Sequence, residues 1–229
     1  MSIKKSVIIA LGFMLLFIIT ACSNETPEEK IQNHLEEAVT LEEGFEKQQS
    51  KITDLEKKEQ ELYKEIMGLG KDEMDEIKKL ADQGIETVDK RSEAIKKEQE
   101  SIEKAKEEFS NTKEIIADLE GKEVKETAEK MIKTMDQRYD SYGKLNKAYN
   151  NALKLEKEMY ELLSKEDLKQ ETLTEKINAI NKAYEKVIES NEAFNKHTKA
   201  YNEMKKEFYE QTGMNVTYEG ESDKKPEDK

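Results

Sequence analysis

The sequence predicts an all-α protein, a long up-and-down antiparallel four-helix bundle behind a cleaved N-terminal signal peptide. Three observations lead there. Apolar residues recur every seven positions, or in alternating steps of four and three, through four successive stretches of the 229 residues. Glycines or a short polar turn separate the stretches. Charged residues make up 40% of the chain while Pro occurs twice and Trp not at all, a composition of either disorder or long helices, and the period selects helices.

The N-terminal segment comes first. Met1-Ser2-Ile3-Lys4-Lys5 is basic, and an apolar run from Val7 to Ile19 follows, broken only by Gly12. Those thirteen residues are short for a bilayer span, which needs about 20, and match the apolar region of a secretory signal, about 7 to 15. Ile19-Thr20-Ala21-Cys22 then resembles a bacterial lipobox. In that chemistry the Cys22 thiol takes a diacylglycerol, and a peptidase cuts between Ala21 and Cys22. Cys22 is the single cysteine, so in the oxidising space outside the cell it has no intramolecular disulfide partner. Two acyl chains anchor stably where one does not. The expected organisation is a signal peptide over 1–21, a lipidated Cys22 with a short link to residue 25, a helical domain over 26–213 and a disordered acidic tail over 214–229.

The first helix opens at Thr26-Pro27-Glu28-Glu29, where Thr26 caps, Pro27 suits the first helical position and Glu29 completes a capping box. Its stripe reads Ile31, Ala38, Phe45, Ile52, Glu59, Ile66, with a parallel set of His34, Leu41, Gln48, Leu55, Leu62 and Leu69. One continuous helix is expected up to Gly68 and Gly70. The second stripe is Met74, Ala81, Val88, Ile95, Ile102, Phe109 and Ile116, ended by Gly121. The third runs from Val124 to Leu163, interrupted by Arg138 and Glu156 alone. Ser164-Lys165-Glu166-Asp167 makes the turn, and the fourth stripe is Leu173, Ile180, Val187, Phe194, Tyr201 and Phe208, with Ile177 and Tyr184 beside it.

Helices of this length reach about 60 to 70 Å at 1.5 Å per residue. Short connections make neighbours antiparallel, which gives the bundle; a three-helix core with one helix leaning outside, or an intermolecular coiled coil, competes with it. The turns near Gly70 and Ser164 then share one end, and Gly121 sits at the other with the anchor.

Function classes are narrowed by charge. Two of the 39 basic residues and none of the 52 acidic ones lie in residues 1–21, so the remainder stands at −15. Such a chain repels nucleic acid and anionic headgroups, and simple charge attraction to anionic wall polymers is disfavoured. His34 and His197 fall about 12 Å apart along the axis of an antiparallel pair, too far for one metal. No metal-ligand spacing, phosphate loop or serine-nucleophile motif occurs. A non-enzyme without metal or cofactor is expected. Arg138 and Glu156, charges on a buried stripe, are candidates for a buried ion pair or a partner contact. Tyr139 and Tyr160 lie off the stripe and are candidate exposed rings for a partner, whereas Tyr142, Tyr149, Tyr184 and Tyr201 fall on it and fill the core.

The lipobox Ile19-Thr20-Ala21-Cys22, the entry Thr26-Pro27-Glu28-Glu29-Lys30-Ile31 and the Lys/Glu-rich helical length together resemble the YkyA-type lipoproteins of Gram-positive bacteria. The resemblance spans nearly the whole chain. It implies a four-helical up-and-down bundle and binding to the cell wall, and transfers one functional position, Cys22. The expected protein is thus anchored by lipid to the outer face of the cell membrane and binds an envelope component, wall polymer or protein. The alternative is a spacer, scaffold or inhibitor with no glycan affinity.

Overall fold

The computed structural model describes residues 25–214. The expected signal peptide, Ala21, Cys22 and almost all of the tail lie outside those residues. Six α-helices and no strand occur among the described residues: α1 (Pro27–Leu41), α2 (Glu43–Ile66), α3 (Met74–Ser110), α4 (Thr112–Ile115), α5 (Lys122–Leu163) and α6 (Gln170–Gln211). They make four rods: α1 with α2, α3 with α4, α5, and α6. The longest two have 42 residues each, about 63 Å.

Local chemistry sets the ends. The Glu29 backbone N–H donates to Thr26 Oγ1 at 3.2 Å, and the Thr26 N–H donates back to Glu29 Oε2 at 2.8 Å. This is the capping box read from the sequence. Gly121 takes φ +87°, a left-handed conformation that a residue with a Cβ resists, and the chain turns there into α5. An ion pair of 2.8 Å from Lys78, near the start of α3, to Glu166, in the turn after α5, puts the α2–α3 and α5–α6 turns at one end. At the other end Lys205 of α6 pairs with Glu36 of α1 at 3.0 Å. The rods therefore run up, down, up and down.

Phe45, Phe109, Phe194 and Phe208 lie at the centre with at most 1% of their surface exposed. Burying such a ring contributes about 1.5–3 kcal/mol. Phe45 meets Tyr142 and Phe194 with ring centroids 6.0 and 5.9 Å apart, and Phe109 meets Tyr139 and Tyr201 at 6.1 and 6.0 Å. Each set draws rings from three rods, and this fixes the register between them. Tyr142, Tyr149 and Tyr201 are buried as their place on the stripes predicts, while Tyr184 is half-buried.

The first rod corrects the expectation of one continuous helix. It breaks at Glu42, because a side chain from α3 enters the backbone ladder there. The Ser101 hydroxyl donates to the Leu41 carbonyl at 2.5 Å and accepts the Phe45 N–H at 3.0 Å, standing in for the bond those two groups would make with each other. Gly44 leaves the space for it, since a Cβ there would lie 3.0 Å from Ser101 Oγ. The second rod likewise ends in a short helix and a 3-10 turn, Ile116–Asp118, after a break at Asn111.

A second close approach binds α3 to α5. A Cβ on Gly84 would come within 2.4 Å of the Tyr160 ring. The ring is fully buried, and its hydroxyl donates to the Glu59 carbonyl of α2 at 3.2 Å. Closure is less complete on the opposite side. Leu173, Ile177, Ile180 and Tyr184 of α6 are only half-buried, and Ile188 is 40% exposed. The first part of α6 packs on α5 and leaves a cleft facing α2.

Candidate functional site

The cleft between α2 and α6 holds a cavity of about 510 Å³. α3 and α5 supply its floor. Its walls carry apolar side chains, Ile52 and Tyr63 on α2 and Ile177, Ile180 and Ile188 on α6, among polar ones, and Arg91, Glu98 and Glu156 make much of its floor ionisable. Long helices in antiparallel register produce that contrast, because every turn can place one inward polar side chain at the same level as its neighbours'.

One polar layer centres on Arg91, 1% exposed. Its guanidinium donates to Glu59 at 2.5 Å and Glu156 at 2.8 Å through Nη1. Nη2 donates to Tyr149 at 2.6 Å, Tyr184 at 2.7 Å and Glu56 at 3.2 Å, and Nε also reaches Tyr149 at 3.2 Å. Both tyrosines pass the interaction on: Tyr149 donates to Glu56 at 2.5 Å and Tyr184 to Glu156 at 2.7 Å. All four rods contribute to the layer. Burial, together with the charge of Glu156, pushes Glu59 up to about 8 against the pull of Arg91. Burial raises Glu156 as well, and both phenols rise for the same reason. Arg91 therefore faces carboxyls that are not all ionised near neutral pH, which limits the charge held in the core.

A second polar layer lies two turns away. Glu98, 2% exposed, accepts a hydrogen bond from Gln49 Nε2, and among the described residues no cation lies within pairing distance of it. Burial pushes it up to about 8, with Tyr142 and Gln49 pulling the other way. The Tyr142 hydroxyl stands close enough to act on that titration, yet it makes no hydrogen bond of good geometry. Asn146 and Asn191 line the same cavity, and Asn146 Nδ2 and Asn191 Oδ1 are buried without a partner.

The candidate residues named from sequence divide between this site and the core. Arg138 and Glu156 are both in buried ion pairs, but not with each other. Arg138 binds Glu42 through two bonds of 2.6 Å, donates to Thr198 at 3.0 Å and lies 4.8 Å from the centre of the Phe194 ring. Arg138 is therefore a core residue, and the partner-contact reading of it is corrected. Tyr139 and Tyr160 are corrected too. Both are buried, 4% and 0% exposed, because α5 is covered by neighbours over more than its stripe. Glu156 and Tyr160 line the cavity, whereas Arg138 and Tyr139 do not. His34 lies 2.6 Å from Glu108 and His197 2.7 Å from Ser141, so each has its own partner. Among the described residues no cluster of three or more His, Cys, Asp or Glu could hold a metal.

Sequence reasoning missed Arg91, Glu98 and Asn191. A trace of Arg91 was readable: the chain contains two arginines among 39 basic residues, and both are buried. A planar fork with five donors suits a buried hub, and lysine serves the exposed faces.

A helical lipoprotein resemblance and this architecture are matched by known proteins. The model of a family described as "Putative cell-wall binding lipoprotein" matches residues 26–211. An "Uncharacterized lipoprotein YkyA" of Bacillus subtilis (strain 168) is 33% identical over 199 residues, 87% of this chain and 89% of that one. A crystal structure of a conserved protein of unknown function from Staphylococcus aureus superposes with a TM-score of 0.56 over 82% of this chain and 97% of that one. At 17% identity that likeness is one of fold. No helix among the described residues is long and apolar enough to cross a membrane. A family model spanning the whole bundle, with a relative one-third identical across most of both chains, shows that this chain belongs to the YkyA family.

Proposed function

We propose that the protein is a non-catalytic, membrane-anchored binding protein that takes a cell-wall component into the α2–α6 cleft. The observation that carries this reading is the cleft itself, about 510 Å³, with apolar side chains on both walls and two buried polar atoms, on Asn146 and Asn191, left unpaired inside it. Lipidation of Cys22, with Ala21 as the residue before the cut, supplies the anchor; the family description and the lipobox spacing support it. Residues 22–25 then hold α1 at the membrane. The cleft, lined by α2 and the outer half of α6, then lies toward the end of the bundle away from the membrane, where wall polymer lies.

Charge shapes the ligand. Five carboxyls and two cations line the cavity (Glu56, Glu59, Glu98, Glu156 and Glu185 against Lys57 and Arg91), so an anionic polymer has no reason to enter. A neutral or cationic portion of the wall fits.

Retention of the full-length protein, in detergent, on purified sacculi tests the reading. Wild type is expected to be retained at physiological salt, and Asn181→Trp, at the exposed rim of the cleft, to be lost. Absence of wild-type retention would remove wall binding and leave the spacer or scaffold. Cys22→Ala is expected to move the protein from the membrane fraction to the soluble one; a variant still sedimenting with membranes would overturn the anchor.

A further inference from the structure

We propose that the inner end of the cleft is a site for a primary ammonium group, held between the Glu98 carboxylate and the side-chain oxygen of Asn191. This rests on the cleft being the protein's binding site, and it names the chemistry taken there.

Buried groups left without partners are the evidence. A buried carboxyl normally has a cation or several donors, because its charge loses the solvation of water. Glu56, Glu59 and Glu156 have Arg91. Glu98 has one amide donor, Gln49, with the Tyr142 hydroxyl nearby, and among the described residues no cation lies within 4.0 Å of it. Asn191 adds an independent observation. It is 6% exposed, lines the same cavity, and its Oδ1 is an acceptor with no donor. It lies one turn before Phe194, whose ring packs 5.9 Å from those of Phe45 and Tyr142, and this puts it near the level of Gln49 and Asn146, one turn from Phe45 and Tyr142. An ammonium has three donors and no acceptor, so one such group answers both vacancies at once. A hydroxyl has a single proton to donate and cannot. The unpaired Asn146 Nδ2 takes a carbonyl oxygen of the same ligand.

The groups acting on Glu98 are Gln49 from α2 and Tyr142 from α5, with Asn146 of α5 and Asn191 of α6 lining the same cavity; Arg91, two turns along α3, is committed to its own carboxyls. None supplies positive charge. Burial holds the Glu98 carboxyl at about 8, so with no cation beside it the group is largely protonated near neutral pH. Entry of an ammonium therefore releases a proton to solvent.

Two sources in a wall carry this group: side-chain amines of peptides, and amino acids ester-linked to polymers. Titration calorimetry of the full-length protein in detergent uses 6-aminohexanamide, with hexanamide as the neutral control. The amine is expected to bind with net proton release, read from the dependence of heat on buffer, and the control not to bind. Glu98→Gln, which keeps the shape, is expected to weaken the amine about 10- to 100-fold, the worth of a charge-assisted hydrogen bond. Asn191→Leu is expected to weaken it less, and helicity by circular dichroism verifies that both variants fold. No binding of the amine to wild type, or equal binding to Glu98→Gln, overturns the proposal.

Sacculi separate this from the wall reading. N-acetylation of their amines is expected to abolish retention, and mild alkali to abolish it only if ester-linked amino acids are the source. Undiminished retention on acetylated sacculi overturns the ammonium site and leaves wall binding intact. Failure of retention on every preparation sinks wall binding alone, and the calorimetric titration still decides the site.

Discussion

Replacing Gly84 with Ala probes a close approach of α3 to α5. Within a helix, alanine is favoured over glycine by about 1 kcal/mol, so an isolated helix would gain. In the bundle the new Cβ would stand 2.4 Å from Cε1 and 2.6 Å from Cδ1 and Cζ of Tyr160. An ordinary contact needs roughly 1 Å more. The ring cannot swing away, because it is fully buried and its hydroxyl is tied to the Glu59 carbonyl. Either α3 separates from α5 or the ring leaves its place. Overpacking of that kind costs about 1–3 kcal/mol, which outweighs or at least cancels the helical gain. Urea unfolding followed by circular dichroism should show a lower midpoint for Gly84→Ala. Tyr160→Leu in the same chain should restore much of it, giving a coupling energy of about 1–2 kcal/mol. A stabilised Gly84→Ala, or additive effects in the double variant, would refute the packing argument.

The other predictions concern polar groups. Ser101→Ala leaves the Leu41 carbonyl without its donor at the break, while the Phe45 N–H keeps the Glu42 carbonyl at 2.9 Å, and should lower stability by about 1–3 kcal/mol, read from the same urea curves. Arg91→Met strands Glu59 and Glu156 and should cost about 3–5 kcal/mol at pH 8, with partial recovery at pH 5.5 as the carboxyls protonate; an equal loss at both pH values would show that charge is not the cause. Folding raises Glu59 and Glu98 to about 8 from 4.5, so their favourable contribution is present below about 4.5 and is lost as pH rises through 8. The melting temperature should accordingly fall between pH 6 and 8.5, and Glu98→Gln should flatten the decline by about 1.4 kcal/mol per pH unit.

Much of the fold could be read along the chain. Seven-residue stripes placed all four rods, because a stripe is a property of one helix and its period survives any arrangement of partners. The capping box at Thr26 and the glycine at position 121 are local for the same reason. The break at Glu42 was not readable. It depends on Ser101, 59 residues later in sequence, reaching the backbone beside Gly44. Tyr139 and Tyr160 were misplaced because a stripe gives only the most buried line of a helix, while α5 is covered on more than one side.

The site divides in the same way. Sequence alone determined the signal-like segment, the single cysteine, the acidic balance and the presence of charges at buried positions 138 and 156, since each is a matter of identity and spacing. Tertiary structure decided their partners. Arg138 meets Glu42 and Glu156 meets Arg91, pairings across 96 and 65 residues that no local rule sets. It also decided that the first part of α6 stands off from α2, leaving half-buried residues on a stripe whose spacing is indistinguishable from the fully buried part. A cleft is a space between elements, fixed by register and packing, and so it has no signature within any one of them.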